Sequence, residues 1–197
     1  MYKKIKDLLR KNETLFAFFK YLKNHSYDYY KEMIRNRRFI KNGKQVLCDF
    51  DDAMQAANIR YWLCFGTLLG AVREKGFIGH DLDIDLGIYK SNYSEKMEKS
   101  LQKFGFRKTR EFLIDEGEYG REQTYMKNNV SIDVFFYQTQ GDKMFCHLFD
   151  TRDEHGNIID VEKEGFIVRE LSYPSFEFEE IELFGRNFSI PNNYHDV

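Results

Sequence analysis

Proline is nearly absent from this 197-residue chain, with 2 residues, and cysteine is scarce, with 3. The cysteines (Cys48, Cys64, Cys146) are odd in number and widely spaced, and no Cys-x-x-Cys pair or Cys/His metal spacing appears. Cys64 sits in the apolar run Tyr-Trp-Leu-Cys-Phe and reads as a buried, inert thiol, which fits a reducing compartment. No uninterrupted apolar stretch is long enough for a signal peptide or a membrane span, so the expectation is a cytoplasmic protein, at most resting on the inner face of a membrane. Internal repeats and low-complexity linkers are also missing. A net charge of −2 gives no overall reason to expect a nucleic-acid partner.

Aromatic residues, by contrast, make up 17% of the chain, which suits mixed α/β packing and leaves rings for stacking on a ligand. Basic residues crowd the region up to Lys44, among them Lys3, Lys4, Arg10, Lys20, Arg35, Arg37 and Arg38, and acidic residues prevail from Asp49. That asymmetry suggests an anionic surface as partner. Two units are expected: a basic helical segment over 1–44 and a catalytic domain over 45–197.

Ile5, Leu8, Leu9, Leu15, Phe16, Phe19 and Leu22 recur near helical spacing and predict a helix over 2–24. Its apolar face suits either an anionic membrane surface or packing on the domain, and packing is the preferred reading. A second helix is expected over 44–58, a buried strand over 61–65, a short helix over 68–74 and a strand over 82–89. Ser94 caps a helix that runs to Phe104, with Gly105 at its end. Strands follow at 106–114, 121–127, 130–138 and 143–150, with turns at Asn128-Asn129 and Gly141-Asp142, then shorter ones near 166–170, 176–183 and 187–190. Helices first and an antiparallel-leaning sheet later predict an α+β fold.

Between Gly66 and Gly87, Asp81, Asp83 and Asp85 alternate with Leu82, Ile84 and Leu86. On a strand, such alternation presents three carboxylates on one face and three aliphatics on the other. Like charges this close raise one another's pKa unless a cation binds between them, and oxygen ligands select Mg²⁺ or Mn²⁺. The bland alternative is a solvent-facing acidic edge, which the aliphatic partners argue against. An EF-hand loop fails on spacing, because Leu86 and Asn92 occupy the positions that need Gly and Glu.

Asp133 is the single charge in the apolar run Val-Ser-Ile-Asp-Val-Phe-Phe and is costly there unless paired or coordinated. If its strand neighbours the Asp83/Asp85 strand, the three carboxylates converge; a salt bridge to a core Arg is the competing reading. Gly66-Thr67, a strand end opening a helix, offers backbone N–H groups and a hydroxyl to a phosphate. Arg73 and Lys75 could neutralise phosphate oxygens or be solvated helix-end charges. His80 is a weaker candidate, and Arg121 is placed on a strand that borders the site.

A Gly-Thr helix start, an Asp-x-Asp strand and a later single Asp together resemble the nucleotidyltransferase superfamily. Gly66-Thr-Leu-Leu-Gly-Ala-Val-Arg-Glu-Lys-Gly-Phe-Ile followed by Asp83-Ile-Asp85 resembles the LicD family more closely, a group that includes bacterial phosphorylcholine transferases and the fukutin group. The likeness is close over 60–90 and looser through Asp133 to Pro191. Where the family commonly has Trp-Asp-Asp-Asp-Ile-Asp, this chain has His80-Asp-Leu-Asp-Ile-Asp, which keeps Asp83 and Asp85. The family pattern usually continues past Ile190-Pro191 with a helix and a Tyr-Gly segment, whereas this sequence stops at Val197; a natural short form and a truncated one both fit.

The resemblance implies a CDP-activated alcohol as donor (CDP-choline, CDP-ribitol or CDP-glycerol) and a hydroxyl of a surface glycan or its precursor as acceptor, as in lipopolysaccharide or teichoic acid modification. Asp83 and Asp85 would hold Mg²⁺ against the donor diphosphate, and Asp133 would hold a second ion or act as base. Two other readings stay open: a nucleotidyltransferase that uses NTP on a small molecule, protein or RNA, and an inactive adaptor that binds a membrane or partner.

Overall fold

The computed structural model describes residues 13–151, 153 and 155–195, with side chains from residue 30 onward apart from residue 164. The predicted helix over 2–24 therefore lies partly outside the described residues. From Glu13 the backbone runs as one helix, α1, to Ala57, where the sequence pattern suggested two helices. The only glycine in that interval, Gly43, costs a helix about 1 kcal/mol against alanine. Packing compensates: Phe39, Val46, Phe50, Ala53 and Ala57, with Leu47 and Met54, are buried at helical intervals along one stripe.

Strand β1 (Tyr61–Leu63) leads into helix α2 (Phe65–Glu74), and strand β2 spans Asp83–Tyr89. Helix α3 (Glu95–Lys103) starts after Ser94 and ends at Gly105, whose φ of 85° lets the chain reverse. Strands β3 (Arg107–Ile114), β4 (Gly120–Lys127), β5 (Val130–Gln140) and β6 (Lys143–Asp150) follow. A single helical turn, α4 (Val161–Glu164), precedes β7 (Ile167–Pro174), and β8 (Phe178–Leu183) pairs with β9 (Arg186–Pro191) in a separate hairpin. Asn128 and Asn129 have φ of 50° and 60°, as the predicted two-residue turn requires.

The main sheet has seven strands, ordered β1-β2-β5-β4-β3, with β6 joined to the far end of β5 and β7 to β6. Among the described residues, only β2 and β5 pair in parallel, and the other pairs of this sheet are antiparallel. The fold is α+β, as expected.

Alternation divides the sheet chemically. One face carries Ile84, Leu86, Ile88, Ile132, Val134 and Phe136, packed with the α1 stripe and with Met97 and Leu101 of α3. The other carries Trp62, Phe135, Tyr137, Met144 and Cys146, clustered with Cys64 and Phe176. Cys48, Cys64 and Cys146 are all free and buried.

Candidate active site

Asp85 on β2 lies opposite Asp133 on β5, and Asp83 lies opposite Ser131. A parallel pair directs partnered side chains to the same face, so the three acids meet on the aromatic side of the sheet, as the sequence suggested. All three are half-buried. Asp133 Oδ1 is buried and has no hydrogen-bond partner, although the Thr124 hydroxyl bonds to the same carboxylate. No arginine forms an ion pair with Asp133 among the described residues, which removes the salt-bridge reading.

Electrostatics follow from this crowding. Burial, and then the charges of Asp83 and Asp133, push the Asp85 carboxyl up to about 8 despite the Gly66 N–H bonded to it. Burial also raises Asp83 and Asp133, against the pull of Arg35 and Arg110. A fourth acid, Glu122 of β4, shares the face; burial and Asp133 push it to about 7, and the Phe149 N–H donates to it at 3.4 Å.

Asp81 departs from the expected row. Strand β2 starts at Asp83, and the turn before it bends Asp81 back, so that its Oδ2 accepts the Ile78 N–H at 2.9 Å while its own N–H binds the Ile78 carbonyl at 3.0 Å. Two carboxylates come from the strand itself and the third from the turn ahead of it, where its charge still raises Asp85.

The start of α2 is tied to the acids. Gly66 N donates to Asp85 Oδ2 at 3.2 Å, and Thr67 Oγ1 accepts the Asp85 N–H at 2.8 Å. A Cβ on Gly66 would stand 3.2 Å from Asp85 Oδ2 and 3.7 Å from Asp81 Oδ1, so the glycine keeps the approach to the carboxylates open. Thr67 is 1% exposed. Its hydroxyl, expected to face a phosphate, instead clamps helix α2 to the acid strand.

The remaining predicted residues separate. Arg73 and Lys75 stand exposed at the C-terminal end of α2, where Arg73 lies 3.8 Å from Glu74 and Lys75 forms the left-handed cap. His80 is exposed in the turn before β2. Arg121 is a correction: it points to the helix face of the sheet, opposite the acids. There it pairs with Glu111 and places its guanidinium 3.9 Å from the Tyr93 ring centre.

The acids fit a hard divalent cation. Mg²⁺ is commonly held by one or two carboxylates plus water and substrate phosphates, not by an all-protein cage. Among the described residues, no group of three or more His, Cys, Asp or Glu side chains is arranged to hold an ion. Asp133 Oδ1 is a buried oxygen left without a partner, and the crowding that raises Asp85 is the kind that a bound cation relieves, because it favours the ionised carboxylates.

The half-buried carboxylate row thus stands on a parallel strand pair, tied to the start of a helix. The family model described as LicD/FKTN/FKRP, nucleotidyltransferase domain, matches residues 58–193, and the chain belongs to that family. An uncharacterized protein of Rickettsia typhi is 28% identical over 72% of this chain and 40% of its own length. The ribitol-5-phosphate transferase FKTN of Mus musculus is 29% identical over 54% of this chain and 23% of its own length. The mouse ribitol 5-phosphate transferase FKRP is 33% identical over 45% of this chain and 19% of its own. The chain thus spans well under half the length of these relatives. No helix among the described residues is long and apolar enough to cross a membrane.

Proposed function

We propose that the chain is a metal-dependent phosphotransferase that moves a phospho-alcohol from a CDP-activated donor to a hydroxyl of a cell-surface glycan or its precursor. The observation that carries this reading is the pairing of Asp85 with Asp133, with Asp133 Oδ1 left unpartnered. The names of the FKTN and FKRP relatives, both ribitol-phosphate transferases, supply the class of group transferred.

Asp83 and Asp85 would hold Mg²⁺ or Mn²⁺ against the donor diphosphate. The bound ion would supply neutralisation of phosphate charge, where most of the catalytic advantage in phosphoryl transfer lies. The acceptor oxygen attacks the phosphorus that bears the alcohol, the anhydride P–O bond breaks and CMP departs. Asp133, its proton affinity raised by burial and by Asp83, is suited to take the acceptor proton. Gly66 leaves room for the donor, and Thr67 holds the helix start in register with Asp85.

The experiment is to incubate the protein with CDP-choline, CDP-ribitol or CDP-glycerol, a glycan acceptor and Mg²⁺, and to measure CMP. Metal-dependent CMP release, lost in Asp83→Asn, supports the reading and names the donor. Pyrophosphate release from an NTP, with no CMP from any CDP-alcohol, would replace it with nucleotidyl transfer.

A further inference from the structure

The carboxylates belong to a longer cross-strand row. Register places Asp85 opposite Asp133, Asp133 opposite Thr124, and Thr124 opposite Arg110, so the four side chains stand on one face across four strands. Arg110 is exposed at the β3 end of this row. Its charge is felt by Asp83, Asp133 and Glu122.

A second guanidinium arrives from a different element. Arg35 lies exposed on α1 and acts on the same Asp83 and Asp133. The helix is pinned beside it, because the adjacent Asn36 donates from Nδ2 to the carbonyls of Gly79 (3.0 Å) and Asp81 (3.4 Å), just ahead of Asp83. Phe39, one turn further on, packs against Phe77 of the same loop at 4.7 Å between ring centres. The position of Arg35 relative to the acids is therefore built into the fold.

Several other arginines are engaged by carboxylates: Arg73 by Glu74, Arg121 by Glu111, Arg169 by Asp150, and Arg186 by Asp51 and Asp52. Arg35 and Arg110 flank the acids, yet neither forms an ion pair among the described residues. A planar fork held near carboxylates but not engaged by them is matched to an oxyanion that arrives with the cation, and a phosphate accepts it bidentately. Residue 35 also lies ahead of the 58–193 family match, so it is supplied by this chain's own N-terminal helix.

We propose that Arg35 and Arg110 grip the diphosphate of the nucleotide donor from two sides of the Asp83, Asp85 and Asp133 group, which makes α1 part of the donor site. This inference rests on the phosphotransferase reading. It assigns to two residues the phosphate contact that the sequence alone placed on Arg73, Lys75 and Arg121.

Titration calorimetry with CDP and with CMP, in Mg²⁺, tests the clamp on the full chain, with Asp83→Asn as the control for metal-dependent binding. Arg35→Ala and Arg110→Ala should each weaken CDP binding about tenfold or more and CMP binding less, because the second phosphate is what the clamp adds. Arg35→Lys should recover part of the loss, as it keeps charge without the fork. Melting temperatures should stay near wild type, since both side chains are exposed. Wild-type affinity for CDP in both alanine variants, with binding still lost in Asp83→Asn, would overturn the clamp while leaving the phosphotransferase reading intact. An effect at Arg110 alone would remove α1 from the site and overturn the proposal as stated. No Mg²⁺-dependent CDP binding by the wild type would sink both.

Discussion

Asp85 and Asp133 face each other across the parallel pair β2–β5, and Asp133 Oδ1 has no hydrogen-bond partner. Keeping two half-buried acids in this position costs the metal-free fold stability, which the proposed cation would recover. Asp133→Asn should therefore raise the melting point of the metal-free protein, by an amount equivalent to roughly 1–3 kcal/mol. Transfer activity should fall about 10²–10³-fold or more. A calorimetric melt in EDTA, paired with CMP release in Mg²⁺, checks both directions.

The pH dependence of the metal-free protein follows from the same acids. Asp85 is pushed up to about 8 and Glu122 to about 7, both above their values in an unfolded chain. The folded state then binds more protons than the unfolded state, so this stabilisation is complete below about pH 4 and is lost as pH rises through 7 to 8. Urea midpoints in EDTA should fall from pH 5.5 to pH 8.5. Asp85→Asn should flatten that slope, and Mg²⁺ should restore the midpoint at the higher pH.

Arg121 should matter for stability and not for the donor. With its guanidinium against Tyr93 and its charge paired to Glu111, Arg121→Ala should cost roughly 1–2 kcal/mol while leaving donor affinity unchanged. Donor titrations on the variant would reveal a site role if affinity fell tenfold.

Gly70 is required by close packing. A Cβ there would stand 2.6 Å from the Gly76 carbonyl oxygen and 3.0 Å from the Ile78 nitrogen, both backbone atoms that cannot rotate away. Gly70→Ala should destabilise the protein by roughly 1–3 kcal/mol and shift the 76–81 turn that leads into β2. Thermal melts and donor binding should be impaired together.

Arg186 ties the C-terminal hairpin to α1. It bonds to the Cys48 carbonyl at 3.2 Å and to Asp51 at 3.0 Å, with Asp52 beside it. The guanidinium is partly exposed, so Arg186→Met should cost only about 1 kcal/mol. Increased proteolysis near 184–186 before any loss of the main sheet would be the sign of that hairpin loosening.

Much of the site was legible in the linear sequence. The Asp-x-Asp alternation with aliphatics required a half-buried strand, and the Asn128-Asn129 turn sets the β4–β5 register: if Lys127 pairs with Val130, Thr124 must face Asp133. The same counting puts Glu122 on the acid face and Arg121 on the other, so the misplacement of Arg121 was avoidable. Arg110 was out of reach, because an irregularity between Lys108 and Arg110 shifts the β3 register and hides which residue ends the row.

By itself, then, the sequence determined the local facts: which segments are strands, where the turns fall, which residues alternate, and that carboxylates are concentrated in apolar surroundings. These depend on near neighbours, over distances that periodicity and turn chemistry can report. Tertiary structure alone decided that β2 lies beside β5, that α1 continues unbroken through Gly43, that Asp81 sits in the turn ahead of β2, and that α1 is pinned to that turn through Asn36. Each of these depends on contacts between residues far apart in the chain. Their energies are settled by burial and packing across elements, which no local pattern encodes.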